Sequence, residues 1–548
     1  MSPATAASPA TAPRASRRPR LSALETLGIV AGLALAAWSI YVRTRAFAQS
    51  YWIDEGLSVG IAHHSLFDIP GLLREDGSPP LYYVLLHFWI GIFGTDEYDT
   101  HALSLVFSTL TIPVGAWTGW KLFGRWAGIV TGILCAANPF LTAYAQETRM
   151  YSLVALLSLL ATSFFLFVFV RRERKYIPFF ALSIAALLYT HLWSAFLALG
   201  AATTVLWLLW RHKAQRRALF RDALLGFGGA FLLFLPWLPT TLYQLAHTAA
   251  PWASGPTWRA VQQIPQSVAG GKREWPITAI VAVVGLVTAW RVRRHGIRAA
   301  ASVGGDRRLA VRGDRAGWVV FGLMAATVGL AWTISQASGV WVPRYFAVFL
   351  GPFLIWAGWT FARAGVIGVA ALIILGAGFQ FYPHTPQTIY LKSNAKLIAR
   401  AGAHHVERGD VVLVTHPEQV PVLYHYMNEY GVHDVRWMTE LGRFPDPQVM
   451  DWRDVTARLR KTRARYDLVP MLDHMRVGQR LYLVRPITTR ENEWRAPWTS
   501  LVKRRSAQWV HVLDRDKRFR LERIVNNFLQ VGHRNGAMQG RVYVKTRR

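Results

Sequence analysis

The stretch Leu81-Tyr-Tyr-Val-Leu-Leu-His-Phe-Trp-Ile-Gly-Ile-Phe93 decides how this chain is arranged. It is apolar from end to end. It is also short, because a helix needs about 20 residues to cross a hydrocarbon core of about 30 Å. If it crosses, every later loop changes side. If it lies on the membrane surface, the basic groups before Leu24 and at Lys121/Arg125, Arg171–Lys175, Arg211–Arg221, Arg291–Arg315 and Arg363 share one side. They total 24 Lys+Arg. The opposite loops hold eight: Arg43, Arg45, Arg74, Arg149, Arg259, Lys272, Arg273 and Arg344. Cytoplasmic loops carry the excess of positive charge. The stretch is therefore read as a juxtamembrane helix, with the N-terminus inside.

Apolar runs on either side of it predict eleven spans, at 24–42, 100–120, 126–142, 151–170, 176–190, 193–210, 223–240, 276–290, 317–334, 345–361 and 365–382. The whole chain is 52% hydrophobic and 17% charged, yet its formal charge is +31. A nucleic-acid binder of that charge would be polar throughout. A multi-pass membrane protein with basic loops fits both facts. The single cysteine, Cys135, excludes an internal disulfide and a cysteine-rich zinc site. Residues 1–23 read as a disordered cytoplasmic tail, and 24–382 as the membrane domain. Residues 383–548 have no run long enough to span and carry 30 Lys+Arg against 16 Asp+Glu. With eleven spans they lie outside. Their pattern predicts helices at 391–406, 420–430 and 454–466 and strands at 410–414, 481–484 and 542–544, a small α/β domain.

The first outer loop, 43–99, holds Asp54, Glu55, Asp68, Glu75, Asp76, Asp96, Glu97 and Asp99. Asp54-Glu55, just past the first span, reads as a general base, an acceptor clamp or a metal ligand pair, or as a surface ion pair. Pro79-Pro80 fixes a corner after Asp76 and starts the juxtamembrane helix with Leu81-Tyr82-Tyr83. Glu147 and Arg149 stand where an apolar run would continue to Tyr151; they are either functional or an ion pair locking two spans. His191 closes the fifth span. Arg344-Tyr345 opens the tenth, and Arg344 either snorkels to headgroups or binds a phosphate. Together, carboxylates would meet an aqueous acceptor and arginines an anion at headgroup depth.

In these motifs the chain resembles the integral-membrane glycosyltransferases of the C-type fold. The nearest branch contains the protein O-mannosyltransferases and the lipid A aminoarabinose transferases. The resemblance rests on Asp54-Glu55, Pro79-Pro80-Leu81-Tyr82-Tyr83, Phe123-Gly124-Arg125, Gln146-Glu147-Thr148-Arg149-Met150-Tyr151, Tyr189-Thr190-His191 and Arg344-Tyr345. Ser78 stands where many relatives have His. The resemblance implies an all-α membrane domain and a polyprenyl-phosphate-sugar donor. It further implies an inverting transfer to a glycan, lipid or protein acceptor outside a bacterial plasma membrane. Asp54 would be the base, and Glu55 would orient the acceptor or Asp54. Arg149 and Arg344 would take the leaving phosphate. Glu147 would hold Arg149 or contact the sugar, beside Asp76, Tyr82, Tyr151, His191 and Tyr345. The branch implies catalysis without metal, while the plentiful carboxylates leave a divalent cation open. Membrane lipids are expected partners; nucleic acid is not. A transporter of lipid-linked sugars would instead place ionisable groups at midspan and show repeat symmetry. An envelope scaffold would tolerate Asp54→Asn.

Overall fold

The computed structural model describes residues 23–248, 250–253, 255–271, 274–295, 307–381, 392–489, 494–525 and 536–548. The tail expected at 1–23 lies outside these apart from Ala23. Helix α1 (Ala23–Arg43) leads into three short helices, α2 (Ile53–His63), α3 (Ile69–Asp76) and α4 (Leu81–Phe93). Helix α5 (Glu97–Phe123) then re-enters the bundle. Helix α4 has the bounds of the stretch quoted above. Pro80 fixes its start, and Gly94, at a positive φ that only glycine adopts freely, ends it.

Among the described residues, seven helices are long and apolar enough to cross a membrane. They are Glu97–Phe123, Tyr151–Val170, Ser194–Arg211, Lys213–His247, Glu274–Arg291, Gly313–Ser338 and Pro343–Arg363. Four shorter apolar helices, Val30–Arg43, Leu81–Phe93, Arg125–Ala136 and Val366–Gly378, accompany them. The sequence expectation of eleven spans is thus not reached by helix length. One reason is local. The run expected at 126–142 ends as helix Arg125–Ala136, because Asn138 caps a new helix, Pro139–Tyr144, through Leu141 N–H at 3.1 Å. The segment expected at 176–190 is the twelve-residue helix Ile177–Leu188. Elsewhere the run expected at 223–240 is longer, continuing through a 3-10 turn at Leu235–Trp237 to His247.

The C-terminal domain is a six-stranded sheet covered by helices on both faces. Its strands are β1 (Val411–Val414), β2 (Arg436–Thr439), β3 (Gly442–Arg443), β4 (Arg480–Pro486), β5 (Phe519–Val525) and β6 (Met538–Lys545). Their order is β3-β2-β1-β4-β6-β5. β1 runs parallel to β2 and β4; the other pairs are antiparallel. Alternation in β1 sorts the two layers. Val412 and Val414 pack with Ile398, Val422 and Tyr426, whereas Val411 and Leu413 pack with Leu472, Trp509 and Leu513.

This domain sits directly on α2, and glycines make the approach. A Cβ at Gly56 would lie 2.5 Å from Val422 Cα, and one at Gly60 would lie 2.1 Å from Gln448 O. No side chain fits either gap. Around them Trp452 N–H bonds Glu75 O at 3.0 Å, and Asp454 N–H bonds His247 O at 2.8 Å. Trp252 packs on Trp452 with ring centroids 4.5 Å apart. The C-terminal domain is therefore seated on the helices that carry Asp54 and Asp76.

Candidate active site

Both carboxylates of the Asp54-Glu55 pair lie in the first turn of α2, where the helix dipole favours negative charge. Glu55 Oε2 accepts the Trp52 backbone N–H at 3.2 Å, which closes the helix start. Adjacent helical residues point about 100° apart. The two carboxylates therefore face different surroundings.

Asp54 faces arginines. Its Oδ2 stands 3.4 Å from Arg344 Nη2 and 3.9 Å from Arg149 Nη2, and that oxygen is buried without a hydrogen bond. Arg149 is held in place by donating to Ser58 Oγ at 2.9 Å, Asp54 O at 3.2 Å and Tyr83 Oη at 3.3 Å. Arg344 lies over the Trp52 ring at 5.5 Å and the Tyr345 ring at 5.8 Å. The Nε–H groups of both arginines and the Tyr151 hydroxyl are buried and unpaired within the protein. Several buried polar groups around Asp54 are thus left without a partner inside the protein.

Asp76, at the end of α3, lies close enough to Arg149 and Asp54 to feel both charges. Burial pushes its carboxyl up to about 6, against the Ser78 hydroxyl and Arg149; Asp54 adds to the rise. Ser78 thus serves as the hydrogen-bond partner of Asp76. His191 stacks edge-on against Tyr345 at 4.6 Å and lies 6.0 Å from Tyr151. Its Nδ1 accepts the Trp193 N–H at 3.1 Å. Burial, with Arg149 and Arg344, holds the ring down to about 3, so it is neutral at physiological pH. Tyr82 is buried beside Ser104. Glu147 is half-buried, and its backbone carbonyl accepts from Ser104 Oγ at 2.7 Å and Arg149 N at 2.7 Å.

Glu55 faces the other way. Its side chain is fully buried. Its oxygens accept from Lys392 Nζ at 2.8 and 3.0 Å and from Thr148 N at 2.8 Å; His101 Nε2 lies 2.7 Å away. Burial alone would raise this carboxyl; Lys392 and then His101 outweigh it and hold it below the usual carboxylate range. Both Glu55 oxygens are thus engaged within the protein, next to the residue, Asp54, that faces the arginines. Lys392 and His101 were not singled out in the sequence. His101 sits inside the first turn of an apolar helix, and Lys392 is one basic residue among thirty in the tail. Among the described residues, no group of three His, Cys, Asp or Glu side chains is arranged to hold a metal ion.

No family model matches the chain, and no curated protein is significantly similar to it in sequence. Among solved structures it is similar to ArnT from Cupriavidus metallidurans in the apo state. The TM-score is 0.58 at 13% identity, covering 95% of this chain and 98% of that one. The same protein bound to undecaprenyl phosphate gives 0.56 at 13% identity, covering 94% and 98%. The Archaeoglobus fulgidus oligosaccharyltransferase gives 0.49 at 11% identity, covering 86% and 70%. The chain is a multi-pass membrane protein, and its fold is the C-type fold of integral-membrane glycosyltransferases.

Proposed function

We propose that this chain transfers a sugar from a polyprenyl-phosphate-linked donor to an acceptor hydroxyl, with inversion, at the extracytoplasmic face of a bacterial plasma membrane. The observation that carries the reading is a carboxylate, Asp54, set between two guanidiniums with unfilled donors. The binding of undecaprenyl phosphate by ArnT supports the same ligand class. The 24-to-8 division of basic residues supports a cytoplasmic N-terminus, eleven crossings including the shorter helices, and an outer domain from residue 383.

In this reading the donor phosphate lies against Arg149 and Arg344, with the sugar toward Tyr151, His191 and Tyr345. The acceptor oxygen attacks the anomeric carbon from the opposite side and passes its proton to Asp54. The bond from that carbon to the phosphate oxygen breaks, and its electron pair stays on the lipid phosphate. The phosphate gains one negative charge in the step. The two guanidiniums are fixed beforehand to receive it, which is where a preorganised site lowers a barrier. Asp76 and Tyr82 line the acceptor side.

The test is Arg149→Ala and Arg344→Ala in the full-length protein. Removing one fixed partner of a developing anion costs about 2.7–4 kcal/mol of barrier, or about 10²–10³ in rate. Each variant is expected to lose this much transfer and to bind undecaprenyl phosphate more weakly, with no new use of sugar nucleotides. Wild-type turnover and binding in both variants would place the leaving group elsewhere.

A further inference from the structure

We infer that Lys392, at the junction between the membrane helices and the outer domain, is a positioning residue for the reaction: it anchors Glu55 and, through it, the relative placement of Asp54 and Arg149. The inference rests on the transfer reaction proposed above. It assigns a function to the junction that neither the motifs nor the fold comparison supplies.

Lys392 lies 337 residues from Glu55 in sequence, yet its side chain is almost fully buried against it. Its ammonium donates to Glu55 Oε1 at 2.8 Å, Glu55 Oε2 at 3.0 Å and Gln146 O at 2.7 Å, and His101 Nε2 lies 3.1 Å from it. The following residues continue the attachment. Ser393 Oγ donates to Tyr51 O at 2.5 Å, and Ser50 Oγ donates to Ser393 O at 3.0 Å. Lys396 Nζ donates to Glu97 Oε1 at 2.9 Å, and the same oxygen accepts from Tyr426 Oη at 2.8 Å. Tyr426 Oη in turn accepts Tyr51 N–H at 2.6 Å. The junction therefore grips both the residues that lead into α2 and the start of α5.

Glu55 distributes this grip. It accepts from Trp52 N at the start of α2 and from Thr148 N. Asp54 is the next residue on one side of this network, and Arg149 is the next on the other. One buried carboxylate thus sets the distance between the proposed base and one of the proposed phosphate partners. Without Lys392 it would lose its closest fixed cation in a dry environment. It would then take up a proton or swing toward water, and Thr148 N–H and the α2 start would lose their common acceptor. Displacements of about 1 Å remote from the reacting atoms cost about 100-fold in rate.

The experiment uses the full-length protein in lipid nanodiscs as wild type, K392M, E55Q and K392M/E55Q. Amide exchange of the peptides covering 53–63 and 147–149 is measured first. K392M is expected to exchange about tenfold faster there. The double variant, which leaves neither charge stranded, is expected to return toward wild type. Undecaprenyl phosphate affinity and the kcat for a synthetic undecaprenyl-phosphate sugar are measured next. K392M is expected to lose about 100-fold in kcat with a much smaller loss of affinity. K392M/E55Q is expected to recover about tenfold of that kcat. Should K392M not fold, E55Q strands the ammonium instead, and the double variant is expected to outperform it by the same margin. Unchanged exchange and kcat in K392M, or a double variant no better than either single one, overturns the inference. If wild type uses no undecaprenyl-phosphate sugar, the proposed function fails, and the exchange measurement alone decides whether Lys392 positions α2.

Discussion

The cluster around Asp54 and the junction around Glu55 are one residue apart in the chain and opposite in character. The Asp54 cluster is unfinished: its ion pairs stand at 3.4 and 3.9 Å, and the Nε–H groups of Arg149 and Arg344 have no partner within the protein. The Glu55 junction is complete, with contacts of 2.7–3.2 Å from Lys392, Thr148, His101 and Trp52. A buried polar group without a partner costs free energy, so a fold keeps several in one place only where something else supplies the contacts. The difference separates a cluster with buried groups left unpaired from one whose contacts tie α2, Thr148 and Lys392 together, although both begin with a carboxylate in one helical turn.

Paired variants break this comparison most sharply. Asp54→Asn keeps the shape of the side chain but cannot accept a proton. It is expected to lose about 10²–10⁴-fold in transfer, while thermal stability and undecaprenyl phosphate binding survive. Glu55→Gln is expected to do the reverse in kind. It strands the Lys392 ammonium in a dry site and should cost about 3–5 kcal/mol of stability, read as a lower melting temperature of the purified protein. A stable, inactive Glu55→Gln beside an active Asp54→Asn would exchange the two roles.

The C-terminal domain offers a smaller effect from another buried carboxylate. Glu440 follows β2, is fully buried, and has neither oxygen hydrogen-bonded. Burial pushes its carboxyl up to about 8 from an ordinary 4.5. The folded chain therefore holds a proton that the unfolded chain releases. Raising the pH through that window favours unfolding by about 1.4 kcal/mol per unit, and the loss is complete above the folded value. Glu440→Gln cannot ionise. Its melting temperature should fall less than wild type between pH 5 and 8, by the amount that slope predicts. Equal pH profiles would mean that Glu440 is paired in solution.

Gly56→Ala sharpens the comparison from the seating side. The added Cβ would meet Val422 backbone, which cannot shift without moving the outer domain. A loss of about 1–3 kcal/mol, read by urea melts, is expected for such overpacking. An unchanged melt would show that the outer domain is not tightly seated on α2.

The sequence makes the unfinished site legible and hides the finished one. Asp54, Arg149 and Arg344 stand out because ionisable groups beside apolar runs are rare, and the structure brings the three together. The bounds of α4 were readable because Pro80 and Gly94 punctuate an apolar run. Lys392 had no such contrast, being one of thirty basic residues in the tail. The break at Asn138-Pro139 carried an ordinary helix-start signal, but the hydrophobic count alone ran through it. In the outer domain, the buried β1 was visible as an unbroken apolar run. Strand β5, Phe519-Arg-Leu-Glu-Arg-Ile-Val525, lies at the edge of the sheet with charged side chains exposed, so its composition matched a loop.

In the proposed reaction Arg149 and Arg344 take a lipid phosphate, and that lipid phosphate is the leaving group. The direct measurement supplies wild-type protein in nanodiscs with an envelope extract as acceptor. Synthetic undecaprenyl-phosphate sugars are given in one series and sugar nucleotides in another. Free undecaprenyl phosphate is expected from at least one lipid-linked sugar, matched by glycosylated product, with no consumption of any nucleotide sugar. Transfer from a nucleotide sugar, with every lipid-linked sugar left intact, would contradict the proposed reaction.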